Sequence, residues 1–184
     1  MSVRKENPSK GMILTGLLTS KKREIVRWCF NRIAETYPEG IGSFLKKESD
    51  PFANPVGSTI TRTLNSLLKI LADGGASDGF RPVLEGLLRI KATRNPSLIE
   101  GLSLISILKQ AIRSQVETEL VRSETGNRTG IMAEYLGFDT RLDEAVLIAC
   151  DIYLTSRRNF DETRINELRA EKERVERVFR VLQS

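Results

Sequence analysis

The chain has 184 residues, 40% of them hydrophobic and 29% charged, with a net charge of +5 and no histidine. That length buries a real core, and the composition is that of an ordered domain, not a disordered one. Without histidine there can be no Ser-His-Asp or Cys-His site, and no zinc site that includes histidine.

Arg4, Lys5 and Lys10 precede Met12-Ile13-Leu14, but Thr15 and Gly16 break that apolar patch, so no signal peptide is expected. Residues 1–11 read as a flexible basic tail. Met12 to Leu18 reads as a short helical turn. Thr19 or Ser20 then caps a helix through Ile25, Val26, Trp28, Cys29, Phe30 and Ile33. Tyr37-Pro38 stops it, because proline clears the preceding residue from helical space. Ile41, Phe44 and Leu45 suggest one or two turns before a loop over 48–53. Asn54-Pro55 opens the next helix with a capping side chain and a first-turn proline. Its stripe is Val56, Ile60, Leu64, Leu67, Leu68 and Leu71, and Gly74-Gly75 ends it. Pro82 starts a helix carrying Val83, Leu84, Leu87, Leu88 and Ile90, and a basic connector follows from Arg89 to Asn95.

The next helix has the most complete start in the chain. Asn95-Pro96 repeats the earlier device, and Ser97 with Glu100 fits a capping box. Leu98, Leu102, Ile105, Ile112, Val116 and Leu120 recur on one side of a helix running to about Arg122. Gly126, Asn127 and Gly130 predict a turn, then a short helix over Ile131–Leu136 closed by Gly137. Thr140 with Asp143 restarts the chain. Leu142, Val146, Ala149, Tyr153 and Phe160 continue on one face into Leu168, Val175, Val178 and Leu182. A helix of about forty residues is about 60 Å long and outruns the rest of the domain. The expected division is a helical domain over 12–160 and a projecting continuation over 161–184. Leu168, Val175, Phe179 and Leu182 sit at heptad-like spacing, with Lys172 interrupting, and form a candidate dimer helix. No stretch alternates like a half-buried strand. The fold class is therefore all-α, a bundle of six or seven helices.

Little of this carries reaction chemistry. Gly74-Gly75-Ala76 lacks the lysine and strand context of a phosphate loop. Neighbouring carboxylates such as Asp143-Glu144 diverge on a helix and make no catalytic dyad. No enzyme, metal site or cofactor is expected. Cys29 and Cys150 read as free thiols, as is usual in the cytoplasm, the compartment expected here. The most suggestive basic element is the corner with Arg89, Lys91, Arg94, Asn95 and Ser97. It either neutralises a helix end or offers an anion site at a helix start.

One ordered set of motifs points to a family. Trp28 with Thr36-Tyr37-Pro38, then Phe52-Ala53-Asn54-Pro55-Val56-Gly57, then Arg89-Ile90-Lys91-Ala92 with Pro96-Ser97 and Leu108-Lys109, resembles the N-terminal domain of RsbRD-type RsbT co-antagonists. The resemblance spans about residues 12 to 170. It implies a sensory or regulatory input module of the stressosome, built as an all-helical, non-haem globin-like dimer with a long last helix. In that family an anti-sigma-antagonist domain of α/β type follows. The sequence here stops at Ser184 without one, so a stand-alone version is expected, with stressosome assembly and kinase control not carried over.

The expected function is thus a non-catalytic regulatory module acting by protein–protein interaction, a homodimer through its last helix, with an unknown protein partner. Asn54 and Gly57 join the Arg89–Ser97 corner as candidate ligand or partner residues. Alternatives are a basic nucleic-acid-binding helical protein, opposed by acids interleaved among its bases, or an accessory to a membrane redox complex of sulfur metabolism.

Overall fold

The computed structural model describes residues 13–47, 50–75, 77–93 and 98–182, with the backbone alone at 77, 89–93, 98–101, 125–126 and 181–182. Over these residues the chain forms seven α-helices and no strand. They are α1 (Ile13–Ser20), α2 (Lys22–Ala34), α3 (Glu39–Lys47), α4 (Pro55–Ala72), α5 (Phe80–Thr93), α6 (Leu98–Arg122) and α7 (Thr125–Leu182). A single 3₁₀ turn, Ser77–Gly79, leads into α5.

The local signals act as expected at α4. Asn54 Oδ1 accepts a 2.8 Å hydrogen bond from Gly57 N–H, and Pro55 fills a position where no amide bond is lost. Gly74, at φ 66°, takes the left-handed conformation that closes the helix. At α2 the capping differs. The Thr19 and Ser20 hydroxyls donate back to the carbonyls of Thr15 and Leu17, and the N-cap is Lys21 without a side-chain bond. α1 and α2 follow each other so closely that both hydroxyls already sit on the last turn of α1. The start of α1 is instead held from far away in sequence. The Glu134 carboxylate on α7 accepts hydrogen bonds from Ile13 N–H at 3.2 Å and Leu14 N–H at 2.8 Å.

One hydrophobic core joins α1, α2, α4, α5, α6 and α7. α6 runs through its middle, with Leu104, Ile105, Leu108, Ile112 and Val116 buried, while Leu102 and Leu120 are half-buried. It lies against α2 on one side and α7 on the other, and α7 also carries the broadest packing against α5. α3 is peripheral: Leu45 turns in, whereas Ile41 and Phe44 stay exposed. Trp28, placed by its spacing in the α2 stripe, is also exposed, with the Arg32 guanidinium 6.0 Å from its ring centre. The neighbouring buried face of α2 is Ile25, Val26, Cys29 and Ile33, which leaves Trp28 at its edge.

The largest departure from the sequence reading lies between Ser123 and Thr140. Neither Gly126, Gly130 nor Gly137 makes a turn or stop; one helix runs unbroken from Thr125 to Leu182. Its 58 residues are about 87 Å long at 1.5 Å per residue. Ile131, Phe138, Leu142, Ala145, Ala149 and Ile152 are buried on both sides of Gly137, so packing outweighs the roughly 1 kcal/mol by which glycine disfavours each helical position. Gly137 is exposed, and a Cβ added there meets nothing within 4 Å. Gly137→Ala is therefore expected to stabilise the fold by about 0.5–1 kcal/mol, seen as a rise of a few degrees in Tm.

Candidate interaction surfaces

The Asn54–Gly57 corner is built from inside the fold. Asn54 is buried; its Nδ2 donates to Leu45 O at 3.1 Å while its Oδ1 caps α4, and its own N–H donates to Asp50 O at 2.8 Å. One carboxamide thus ties the end of α3 to the start of α4. Gly57 sits so close beneath it that a Cβ would lie 2.4 Å from Asn54 Nδ2. Both residues are largely enclosed, and both also form part of the wall of a cleft at this corner. What the corner shows to solvent is Phe52, 95% exposed on a turn where Asp50 Oδ1 accepts from Phe52 N–H at 2.9 Å. A cleft of about 470 Å³ opens beside it, with Lys46 and Arg62 among its lining residues.

The second corner falls largely outside the described residues: Arg94, Asn95 and Ser97 lie there. Arg89 and Lys91 belong to the last turns of α5 and not to a connector, because that helix continues to Thr93.

Sequence spacing does not reveal the ion pairs that join the long helix to the bundle. Lys109 of α6 places Nζ 2.7 Å from Asp143 Oδ1 and 3.1 Å from Asp139 Oδ1, both on α7. The hydrogen bond to Asp143, with that to Asp139, holds the Lys109 ammonium pKa above its ordinary value. Arg81 of α5 reaches Asp151 of α7 at 2.7 Å. Beside that pair is an open groove of about 470 Å³, with Thr155, Asn159 and Thr163 on the α7 side. On the other flank Lys46 and Arg32 bracket Glu35 at 3.2 and 3.1 Å. The hydrogen bond from Lys46 comes first among the effects that lower the Glu35 pKa.

Cys29 is fully buried, and desolvation pushes its thiol pKa up to about 12. It stays protonated and shielded near neutral pH. Cys150 is only half-buried. A thiol reagent such as DTNB is expected to titrate Cys150 alone in the native protein and both cysteines in denaturant.

From Glu162 to Arg180 every residue of α7 is exposed, so among the described residues the helix leaves the bundle near Phe160 and continues alone. Ile165, Leu168, Val175 and Phe179 are all exposed there; the side chain of Leu182 lies outside the described residues. Among the described residues no cluster of three or more metal-ligating side chains occurs, and no helix is long and apolar enough to cross a membrane.

An all-α bundle whose last helix is carried far past its own core is the architecture of a helical module with an extended arm. The chain belongs to the RsbT co-antagonist protein rsbRD N-terminal domain family, whose model matches residues 23–168. The match begins in α2, takes in both Asn-Pro corners and ends on the projecting arm. Membership in that family suggests a regulatory input domain of the stressosome type. No curated protein and no solved structure matches the chain.

Proposed function

We propose that this chain is a non-catalytic regulatory module that works by protein–protein interaction, as a homodimer joined through the projecting end of α7. The observation that carries the reading is the run of exposed apolar side chains on a stretch of helix that no other element packs against among the described residues: Ile165, Leu168, Val175 and Phe179. Isolated apolar residues in water gain by pairing with a like surface, and heptad-like spacing suits a second helix. Leu182 completes the spacing. A signal that alters packing of α5 or α6 against α7 is passed to the arm, because α7 is one rigid element through both parts. The Arg89, Lys91, Arg94, Asn95 and Ser97 corner joins two of those helices and is our choice for the incoming ligand or partner.

Light scattering coupled to size exclusion tests this directly. A dimer is expected for the native chain, and a monomer for Leu168→Asp combined with Val175→Asp. A native chain that stays monomeric across micromolar concentrations overturns the dimer.

A further inference from the structure

The cleft between the end of α3 and the start of α4 has a wall of one charge sign. On α4, Ser58, Thr61, Arg62 and Asn65 follow each other at spacings of three and four. They therefore share one face of the helix, separate from the buried stripe of Ile60, Leu64 and Leu67. Lys46 of α3 supplies a second cation, and Phe30 of α2 and Pro51 of the α3–α4 loop supply apolar surface. Among the described residues no carboxylate belongs to this wall. Its volume of about 470 Å³ lies within the range of about 300–1,000 Å³ usual for small-molecule sites.

We propose that this cleft binds a small phosphate monoester that carries an apolar group. The phosphate lies between Arg62 and Lys46 with the Ser58 and Thr61 hydroxyls donating to it, and the apolar group rests on Phe30 and Pro51. The site is separate from the Arg89–Ser97 corner and is independent of the dimer.

Charge is the first reason. Two cations match a group that carries close to two negative charges, and the guanidinium fork takes two of its oxygens. Availability is the second. Among the described residues Arg62 enters no ion pair and the Ser58 and Thr61 hydroxyls make no hydrogen bond, whereas the Thr59 hydroxyl on the same helix is committed to Pro55 O at 2.8 Å. Lys46 is engaged: its Nζ lies 3.2 Å from Glu35 Oε1, towards a neighbouring cleft lined by Glu35 and Glu39. That contact is exposed and therefore weak, and Glu35 keeps Arg32 at 3.1 Å when Lys46 turns to a ligand. The amides at the start of α4 are not the source of binding. Asn54 already accepts from Gly57 N–H, and Ser58 N–H donates to Asn54 O. Position gives the site a consequence, because a ligand there joins the peripheral α3 to both α2 and α4.

The test is isothermal titration calorimetry of the full chain with phenyl phosphate, inorganic phosphate and benzoate at about pH 7.5, where the ester carries close to two charges. Phenyl phosphate is expected to bind most tightly. Arg62→Gln should raise its Kd at least about tenfold and Lys46→Gln by a smaller factor. The circular dichroism should not change, because both side chains are exposed. Glu35→Gln should act in the opposite direction, lowering the Kd about threefold by releasing Lys46. Glu117→Gln removes the same charge from an exposed pair on α6 and should leave the Kd as it is. No binding of phenyl phosphate at about 10 mM, or a Kd that Arg62→Gln leaves unchanged, overturns the site. Benzoate binding as tightly as phenyl phosphate overturns the choice of phosphate, and inorganic phosphate binding as tightly overturns the apolar half. Equal effects of Glu35→Gln and Glu117→Gln remove Lys46 from the site.

Discussion

Phe80→Ala is expected to lower the unfolding free energy by about 3–5 kcal/mol, the range for truncating a fully buried aromatic that leaves a cavity. Phe80 is the first residue of α5 and shows no exposure at all. It ranks with the largest fully enclosed side chains of the core. At about 2–4 °C of Tm per kcal/mol for a chain of this size, the loss is large in a thermal melt and in urea titration. A change below about 1 kcal/mol would mean that the start of α5 is not seated in the core as described.

Asn54→Ala carries the second large effect, about 2–4 kcal/mol. The substitution removes the cap of α4, worth about 1 kcal/mol, and strips Leu45 O and Gly57 N–H of the carboxamide that serves both. Because those groups are enclosed, water does not easily replace it. Chemical denaturation of the variant checks the size of the loss. Asn54→Asp is the informative companion: its carboxylate keeps the acceptor for Gly57 N–H but cannot donate to Leu45 O. It should recover part of the stability and not all. Were Asn54 a ligand-binding side chain without a structural part, both variants would melt like the native protein.

Much of the fold was legible from the residues. The Asn54-Pro55 start, the Gly74 stop and the long stripe of α6 rest on local chemistry: a side chain reaching its own helix start, a glycine free to adopt positive φ, and apolar spacing that matches one turn. The family motifs lie on those same elements. Other features were not legible. Glycines at 126, 130 and 137 look like punctuation, yet α7 passes through them, because the cost of each is local whereas the packing of Ile131, Phe138 and Leu142 is collective. Phe80 stands before a proline in a stretch without helical periodicity, and only its neighbours in space make it core. Lys109 pairs with residues 30 and 34 positions away, which no spacing rule connects.

The candidate site divides in the same way. Leu168, Val175, Phe179 and Leu182 could be picked out because a heptad rhythm is a property of the chain itself. The exposure of Leu147 and Leu154 could not be read, since leucines in a striped helix read as core until it is known which side the bundle occupies. Asn54 and Gly57 stood out by motif, and the structure adds that the Asn54 carboxamide joins α3 to α4 while both residues line a cleft.

By itself, then, the sequence determined the all-α class, most helix starts, the absence of histidine chemistry and the family. Those follow from short-range backbone preferences and from residue inventory. Only the tertiary structure decided where one helix becomes the next, which apolar face is covered and which is left exposed. Burial is a relation among distant segments, and a helix with apolar side chains on two sides shows which one is free only when the other has been packed.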